Sequence, residues 1–292
     1  MKLTTIFYHT DEFCKFFEKE INARALSSGY GIRTRKCSLT LSEAMTIAIY
    51  YHDSGYKTFK DYYVKNAELK IAFPTLPSYN RFVELQKNIS APLLIFAKLQ
   101  ASARCNGISF IDSFPLRVSH EKRTLGHKTF SGVAARGKTS MGWFYEFKIH
   151  VIINGAGEML NFTITSGNVT DNNSHVIDLL TQEIHGKVYG DKGYLLNSNL
   201  FEKLYLKGIH FITKVRKNMQ GRIMDIRDRL MLKKRGVIES VGAILKENLN
   251  IEHSRYRSMP SLIVNVCSAL VAYALRKNKP SIYGKNSYAL NA

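Results

Sequence analysis

The hydrophobic pattern of residues 222–247 predicts one long helix. Apolar residues recur there at spacings of three, four and seven, which keeps one stripe of the helix facing a core. These residues are Ile223, Ile226, Leu230, Val237, Val241 and Ile244. At about 100° per residue, four further positions fall within about 60° of one another on one face. They are Leu232, Arg235, Glu239 and Lys246, so the pattern sets one carboxylate between two cations.

Glu239 in this helix has two interpretations. In the first, Arg235 and Glu239 form an ordinary i,i+4 ion pair on a solvated face, worth about 0.3–0.5 kcal/mol. In the second, Glu239 binds a metal ion and the neighbouring cations contact phosphate groups. The second interpretation requires two further carboxylates, brought to the helix by other elements of the fold.

Residues 1–104 have the pattern of a small helical region. Thr40 precedes Glu43 at capping-box spacing, which predicts a helix start. A further short helix is predicted over 59–65, and a buried terminal helix over 262–275. Short helices with a basic charge suit a helix-turn-helix-like DNA-binding role. They equally suit a region that supports the next domain, and the sequence does not choose between these roles.

From Gly107 onward the periodicity becomes that of strands. The run GISFIDSFPLRV predicts a central strand, and FYEFKIHVII with EMLNFTITSG predicts a hairpin. A helix from Thr170 to Leu180, a strand ending at Asp191, a helix over 198–206, a strand HFITKV and the long helix complete the order. Residues 119–142 between the first two strands form a long basic connection.

This order predicts an α/β fold, namely an RNase H-like mixed sheet flanked by helices and preceded by a small all-helical N-terminal domain. The predicted domains are 1–104 (helical), 105–280 (RNase H-like) and 281–292 (a C-terminal tail). In an RNase H-like sheet the first and fourth strands lie side by side and each presents one acid. A following helix presents the third.

Three acids occupy those elements. Asp112 lies inside the first strand, where an ionised carboxylate is costly unless it is compensated. Asp191 ends the fourth strand between Gly190 and Gly193, at the carboxyl edge where open α/β sheets bind ligands. Each aspartate alone also suits an ordinary turn. Together with Glu239 they predict one acidic site.

The composition favours a polyanionic partner. Lys and Arg number 42 against 23 acidic residues, which gives a net charge of +19 and a pI near 9.7. Nucleic acid is the expected partner, and no segment predicts membrane binding. The cysteines are scattered without zinc-site spacing, and the N-terminus lacks a signal-peptide pattern, so we expect a cytoplasmic, nucleoid-associated protein. The cysteines are Cys14, Cys37, Cys105 and Cys267.

With these residues located, the chain resembles the DDE-type transposases of bacterial insertion sequences, and it is most similar to the insertion-sequence 982 family. The resemblance covers nearly the whole chain. It depends on the run 111–115 around Asp112, the Gly167-Asn168 pair before Asp171, the run 190–194 around Asp191, and the final helix. Arg235, Glu239 and Lys246 keep the spacing of the clan's Tyr, Arg, Glu, Lys signature, with Leu232 in place of the tyrosine.

The resemblance implies Asp112, Asp191 and Glu239 as the catalytic triad. Phosphodiester cleavage by such a triad uses two Mg²⁺ ions, for which Mn²⁺ is a substitute, and carboxylates are the ligands that these hard ions take. One aspartate would bridge both ions. Water would attack at the end of the element, and the freed 3′-OH would then attack target DNA. At least a homodimer is expected, because two element ends must be brought together.

The expected DNA contacts are mainly cationic. Arg235 and Lys246 would contact phosphates, and so would Lys192, Arg216 and Lys217. The single tryptophan, Trp143, has two interpretations, as a core residue or as a platform that stacks on an unpaired base at the cut site.

Three other functions compete with this one. A tyrosine recombinase is suggested by His253-Ser254-Arg255-Tyr256, although the spacing is wrong and such an enzyme needs no acidic triad. A non-catalytic DNA-binding protein derived from a transposase would not need the triad either. An RNase H-like nuclease without strand transfer would share the whole site and differ only in its products.

Overall fold

The computed structural model describes residues 1–27, 37–120, 129–130, 132–139, 142–214, 224–252 and 258–283, with backbone alone for 25–26, 119–120, 136–139 and 142–144. In chain order, the elements are α1 (Leu3–Ser27), α2 (Leu41–Tyr51), α3 (Phe59–Lys65), α4 (Ala67–Ala72), α5 (Tyr79–Gln100), β1 (Ile108–His120), β2 (Ala135–Thr139), β3 (Gly142–Asn154), β4 (Met159–Ser166), α6 (Ser174–Leu180), β5 (Gly186–Gly190), α7 (Ser198–Leu206), β6 (Ile209–Thr213), α8 (Ile226–Lys234), α9 (Gly236–Ala243) and α10 (Met259–Ala274).

These elements form two compact units. The first unit comprises Met1–Leu99, Glu247–Ile251 and Tyr256–Arg276. The second comprises Gln100–Lys246, Glu252–Arg255 and Lys277–Ala292. The sequence predicted a helical domain over 1–104 and an RNase H-like domain over 105–280. In the division by contacts, α10 lies in the first unit.

The first unit, as far as it is described, is helical. α10 is apolar on all sides and packs on α2, which explains its place in this unit, because such a helix must be covered all round. The predicted capping box at α2 is confirmed. The Thr40 amide donates to the Glu43 carboxylate at 2.7 Å, and the Glu43 amide donates to Thr40 Oγ1 at 3.2 Å. No helix in the described part of the chain is long and apolar enough to span a membrane.

The second unit is built on a mixed sheet of six strands in the order β2-β3-β1-β5-β6, with β4 also paired to β3. β1 runs antiparallel to β3 and parallel to β5, and β5 runs parallel to β6. β2 and β4 pair with successive halves of β3. Apart from β2, which arises within the predicted basic connection, this is the predicted RNase H-like sheet, with the first and fourth predicted strands side by side.

Helices cover both faces of this sheet. Ile111 belongs to a buried cluster that includes residues of α6 and α7, such as Ile177 and Leu204. Successive side chains of a strand point to opposite faces, so Asp112 lies on the other face of β1. That face carries α9, where the Cα of Gly242 comes so close that an added Cβ would lie 3.7 Å from the ring of Phe114. The central strand therefore presents Asp112 to the helix that contains Glu239.

The long helix predicted over 222–247 is wrong as a single element. α8 ends at Lys234, α9 begins at Gly236, and a π-helical turn follows over Ile244–Asn248. Glycine is a weak helix former, and Arg235 at the junction is engaged by side chains of the sheet. The predicted apolar stripe fails in α8, where Ile226 is 72% and Leu230 is 50% exposed while Leu232 is buried.

Candidate active site

Asp112 lies in β1 as an acid with limited access to water. Its Oδ1 accepts a hydrogen bond from the Ser113 amide at 2.9 Å, and its Oδ2 lies 3.3 Å from Nη1 of Arg235. Burial raises the pKa of this carboxyl to about 6, although the Ser113 amide and the Arg235 charge act to lower it. Desolvation of the carboxylate therefore outweighs the compensation that these two neighbours provide.

Asp191 directly follows β5 and precedes a short 3₁₀ turn over Lys192–Tyr194, to which its side chain donates no capping hydrogen bond and from which it accepts none. Because Tyr189 of β5 is opposite Phe110 of β1, Asp191 and Asp112 each lie two residues beyond a paired position. The close packing of this strand end favours a glycine at position 190. A Cβ there would approach the Tyr194 Cβ to 3.0 Å and Ile111 Cγ2 to 3.3 Å.

Glu239 lies in the first turn of α9 and is the most exposed of the three acids, with 59% of its side chain accessible. Its Oε1 accepts a hydrogen bond from Nη2 of Arg235 at 2.6 Å. The i,i+4 pair expected from the sequence is therefore present. It is not an isolated surface pair, because the same guanidinium also reaches the sheet.

Arg235 lies close to all three acids. Its guanidinium lies 3.3 Å from Asp112, 3.8 Å from Asp191 and 2.6 Å from Glu239, measured to the nearest carboxylate oxygen. Only 13% of the arginine side chain is exposed. A planar fork with several N–H donors suits such an arrangement, because Nη1 faces Asp112 while Nη2 faces both Asp191 and Glu239. Acids from β1, from the end of β5 and from α9 thus surround one group.

The three carboxylates are chemically suited to bind a hard divalent cation. Three carboxylates supply the oxygen ligands that Mg²⁺ and Mn²⁺ take, and they supply the negative charge as well. In the structure the guanidinium of Arg235 lies among them. Within the described ranges, no cluster of three or more His, Cys, Asp or Glu side chains is close enough to hold one metal ion.

The other predicted site residues are more dispersed. Lys192 is exposed next to Asp191. The Lys246 ammonium lies 3.6 Å from Glu252 and 5.5 Å from the centre of the Phe114 ring, so it is near α9 but paired away from the triad. Trp143 contributes its backbone to β3, opposite Lys138, and its side chain lies outside the described residues. Arg216 and Lys217 also lie outside the described residues.

Asp171 is a neighbour of the site that sequence reasoning took for the start of a helix. Asn173, not Asp171, caps α6. Asp171 Oδ1 instead accepts hydrogen bonds from Ser113 Oγ at 2.6 Å and from Lys148 Nζ at 3.1 Å. Its other oxygen borders Gly193, where an added Cβ would come within 3.1 Å. One carboxylate therefore links β1 and β3 with the turn that carries Asp191.

Replacement of Asp171 by alanine should lower the free energy of unfolding by about 2 kcal/mol, because a charged acceptor with two partners is lost. Urea unfolding in EDTA measures this effect. Glu84→Gln is the control, since Glu84 pairs with Arg81 at 2.7 Å on an open surface. We expect a change below about 0.5 kcal/mol for it. Equal losses in the two variants would contradict a linking role for Asp171.

Comparisons with known proteins bear on this site. A protein-family model described as a transposase DDE domain matches residues 102–259, more than half of the 292-residue chain, and the three acids lie within the match. No curated protein matches the chain. Among solved structures, the chain is similar to one described as "Crystal structure of the Mos1 Strand Transfer Complex". The identity is 11% and the TM-score 0.25, with 88% of this chain and 86% of that chain covered. On the family match, the chain belongs to the transposases with a DDE domain.

Proposed function

We propose that this transposase cleaves DNA at the ends of a bacterial insertion sequence and joins the freed 3′ ends to target DNA. Asp112, Asp191 and Glu239 are the proposed catalytic and metal-binding residues. The observation that carries the proposal is the convergence of these three acids around Arg235, all within 3.8 Å of its guanidinium. They come from three elements that are far apart along the chain.

Each acid has a distinct place in the proposed chemistry. Asp112 is the least accessible and is fixed by the Ser113 amide, so it is suited to hold an ion in a constant position. Asp191 and Glu239 are more exposed and can adjust to substrate. Two divalent ions, Mg²⁺ or Mn²⁺, would supply charge stabilisation for the attacking and leaving oxygens of an in-line displacement.

The proposed substrate is double-stranded DNA. The net charge of +19 favours phosphate binding, and Lys192 is exposed directly beside Asp191. Lys246, Arg216, Lys217 and a freed Arg235 are further proposed phosphate contacts, and Trp143 is a proposed stacking residue. We also propose membership of the insertion-sequence 982 family and action as a homodimer or larger assembly that holds two element ends.

To test this proposal, the protein is incubated with labelled element ends and a plasmid target in the presence of Mg²⁺ or Mn²⁺. We expect nicked ends and joined products, and Asp191→Asn should abolish both because a proposed metal ligand is lost. Asp178→Asn is the control, since Asp178 in α6 pairs with Lys203 in α7, away from the three acids. Undiminished nicking by Asp191→Asn would rule out the proposal.

The products also separate the competing functions. Nicking without joined DNA would indicate an RNase H-like nuclease, and an absence of any metal-dependent nicking would indicate a non-catalytic DNA-binding protein. A protein–DNA adduct on a denaturing gel would indicate a tyrosine nucleophile. Residues 253–256, which suggested that last function, lie outside the described part of the chain.

A further inference from the structure

Arg235 occupies the centre of the acidic site, and its position there has a consequence for metal binding. We infer that Arg235 is a positioning residue that stands in for the metal ions. It holds the three carboxylates together in the metal-free protein and must leave them when ions bind. This inference depends on the proposed function, because it concerns the same three acids.

The charges explain why a stand-in is needed. Three ionised carboxylates in one place repel one another, and each repels the others more strongly where water is partly excluded. Arg235 offsets this repulsion with one guanidinium, which is almost covered by the groups around it. Two other cations near the site are paired with other acids. Lys246 pairs with Glu252, and Lys148 pairs with Asp171 on the opposite face of the sheet.

The contacts explain why the arginine must leave. Asp112 Oδ2, Asp191 Oδ1 and Glu239 Oε1 face the guanidinium, and oxygens of this kind would face a bound ion. A divalent ion requires its oxygen ligands at about 2.1 Å. A guanidinium and a divalent ion cannot share that volume, and their charges repel. Metal binding is therefore an exchange of cations rather than the filling of an open site.

The backbone provides a route for this exchange. Arg235 lies at the junction where α8 ends and α9 begins, and the next residue is Gly236, beside which there is open space. A side chain at such a junction can turn outward without disturbing the core. An arginine released there is suited to a DNA phosphate, because its fork matches phosphate geometry. The contact with DNA and the contact with the acids are then alternative states of one residue.

Binding of Mn²⁺ to the protein without DNA tests the exchange. The electron paramagnetic resonance signal of the free ion reports the dissociation constant. We expect Arg235→Ala to bind Mn²⁺ about ten-fold more tightly than the wild type, because no ion pairs have to be broken first. Arg235→Lys keeps the charge but lacks the fork, and we expect it to bind severalfold more tightly as well.

Two controls make the result specific. Lys187→Ala removes a cation from the same sheet, where Lys187 pairs with Asp228 at 2.7 Å, and it should change the affinity by less than about two-fold. Asp112→Asn should abolish binding. A nitrogen-15 spectrum of the wild-type arginine side chains gives a second measurement. This titration uses diamagnetic Mg²⁺ instead of Mn²⁺, and we expect the Arg235 Nε–H signal to shift as Mg²⁺ is added.

The outcomes separate this inference from the proposed function. The stand-in role is wrong if Arg235→Lys binds Mn²⁺ with the affinity of the wild type. It is also wrong if Lys187→Ala increases the affinity for Mn²⁺ as much as Arg235→Lys does, because the affinity would then depend only on the overall charge of the protein. The proposed function would survive that result if Asp112→Asn still abolishes binding. If neither the wild type nor the Arg235 variants bind Mn²⁺, the inference fails, and the cleavage assay decides separately whether the site acts only with DNA present.

Discussion

Asp112→Asn should lower metal-dependent DNA cleavage by at least about a thousand-fold, the scale of losing a group that stabilises charge in the transition state. Asparagine keeps the shape of the side chain and can still accept the hydrogen bond from the Ser113 amide, which lies at 2.9 Å in the structure. It cannot supply the negative charge that a divalent ion requires. The initial rate of end nicking measures the loss.

The same variant should be more stable than the wild type when metal is absent. Burial raises the pKa of the Asp112 carboxyl to about 6, above its value of about 3.9 in the unfolded chain. The folded state therefore binds this proton more tightly than the unfolded chain does, and the free energy of unfolding of the wild type falls as the pH rises from about 4 to about 6. Above that window the full cost of burying the charge is present, so Asp112→Asn should raise the free energy of unfolding by about 3 kcal/mol there and should leave it unchanged below about pH 4.

Urea unfolding in EDTA at a series of pH values measures this gain, with Glu84→Gln as an exposed control. A variant that is inactive and also less stable at pH 7.5 would contradict this account, because simple damage to the fold would then explain both effects. Loss of activity together with a gain in stability is the expected signature of a carboxylate kept for chemistry rather than for folding.

Gly186→Ala should destabilise the sheet by about 3 kcal/mol. Gly186 has φ +80, and a Cβ there would lie 2.4 Å from the carbonyl oxygen of Gly107 and 2.7 Å from its Cα. That carbonyl accepts the Lys187 amide at 2.8 Å, at the start of the parallel pairing between β1 and β5. Alanine would add left-handed backbone strain and push apart the two strands that carry the aspartates.

Gly208→Ala is the matched control for this prediction. Gly208 has φ +77 and also precedes a strand of the parallel part of the sheet, but nothing lies within 4 Å of an added Cβ. Gly208→Ala should lower the free energy of unfolding only by the cost of the left-handed backbone conformation, about 1 kcal/mol. Chemical denaturation followed by circular dichroism measures both variants. Similar losses of stability in the two variants would show that the close approach of Gly107 to position 186 does not contribute to the effect of Gly186→Ala.

The parts of the fold that could be predicted are those whose pattern is local. Strand β1 combines an apolar run with one acid, and β5 ends in an aspartate between glycines, so both elements and both acids were apparent from the sequence. Helix α7 has its predicted bounds, Ser198–Leu206, and the structure shows Asn197 as its cap. The RNase H-like order followed from these local patterns.

The parts that could not be predicted depend on contacts distant in sequence. The break at Arg235 lies where acids on β1 and just after β5 engage its side chain, and helical periodicity carries no information about those contacts. Asp171 resembles a helix cap until Ser113 and Lys148 are brought to it by the sheet. Strand β2 lies in a glycine-dotted basic segment with no alternation, and it is defined by its pairing with β3.

The place of α10 has a consequence for how such proteins evolve and how they can be divided. The chain leaves the sheet after Lys246 and returns to the helical unit, where α10 covers α2. A fragment cut near residue 100 would leave α2, which is rich in buried apolar residues, without that cover. The two units are thus interleaved along the gene, and recombination at a single junction cannot exchange one without the other.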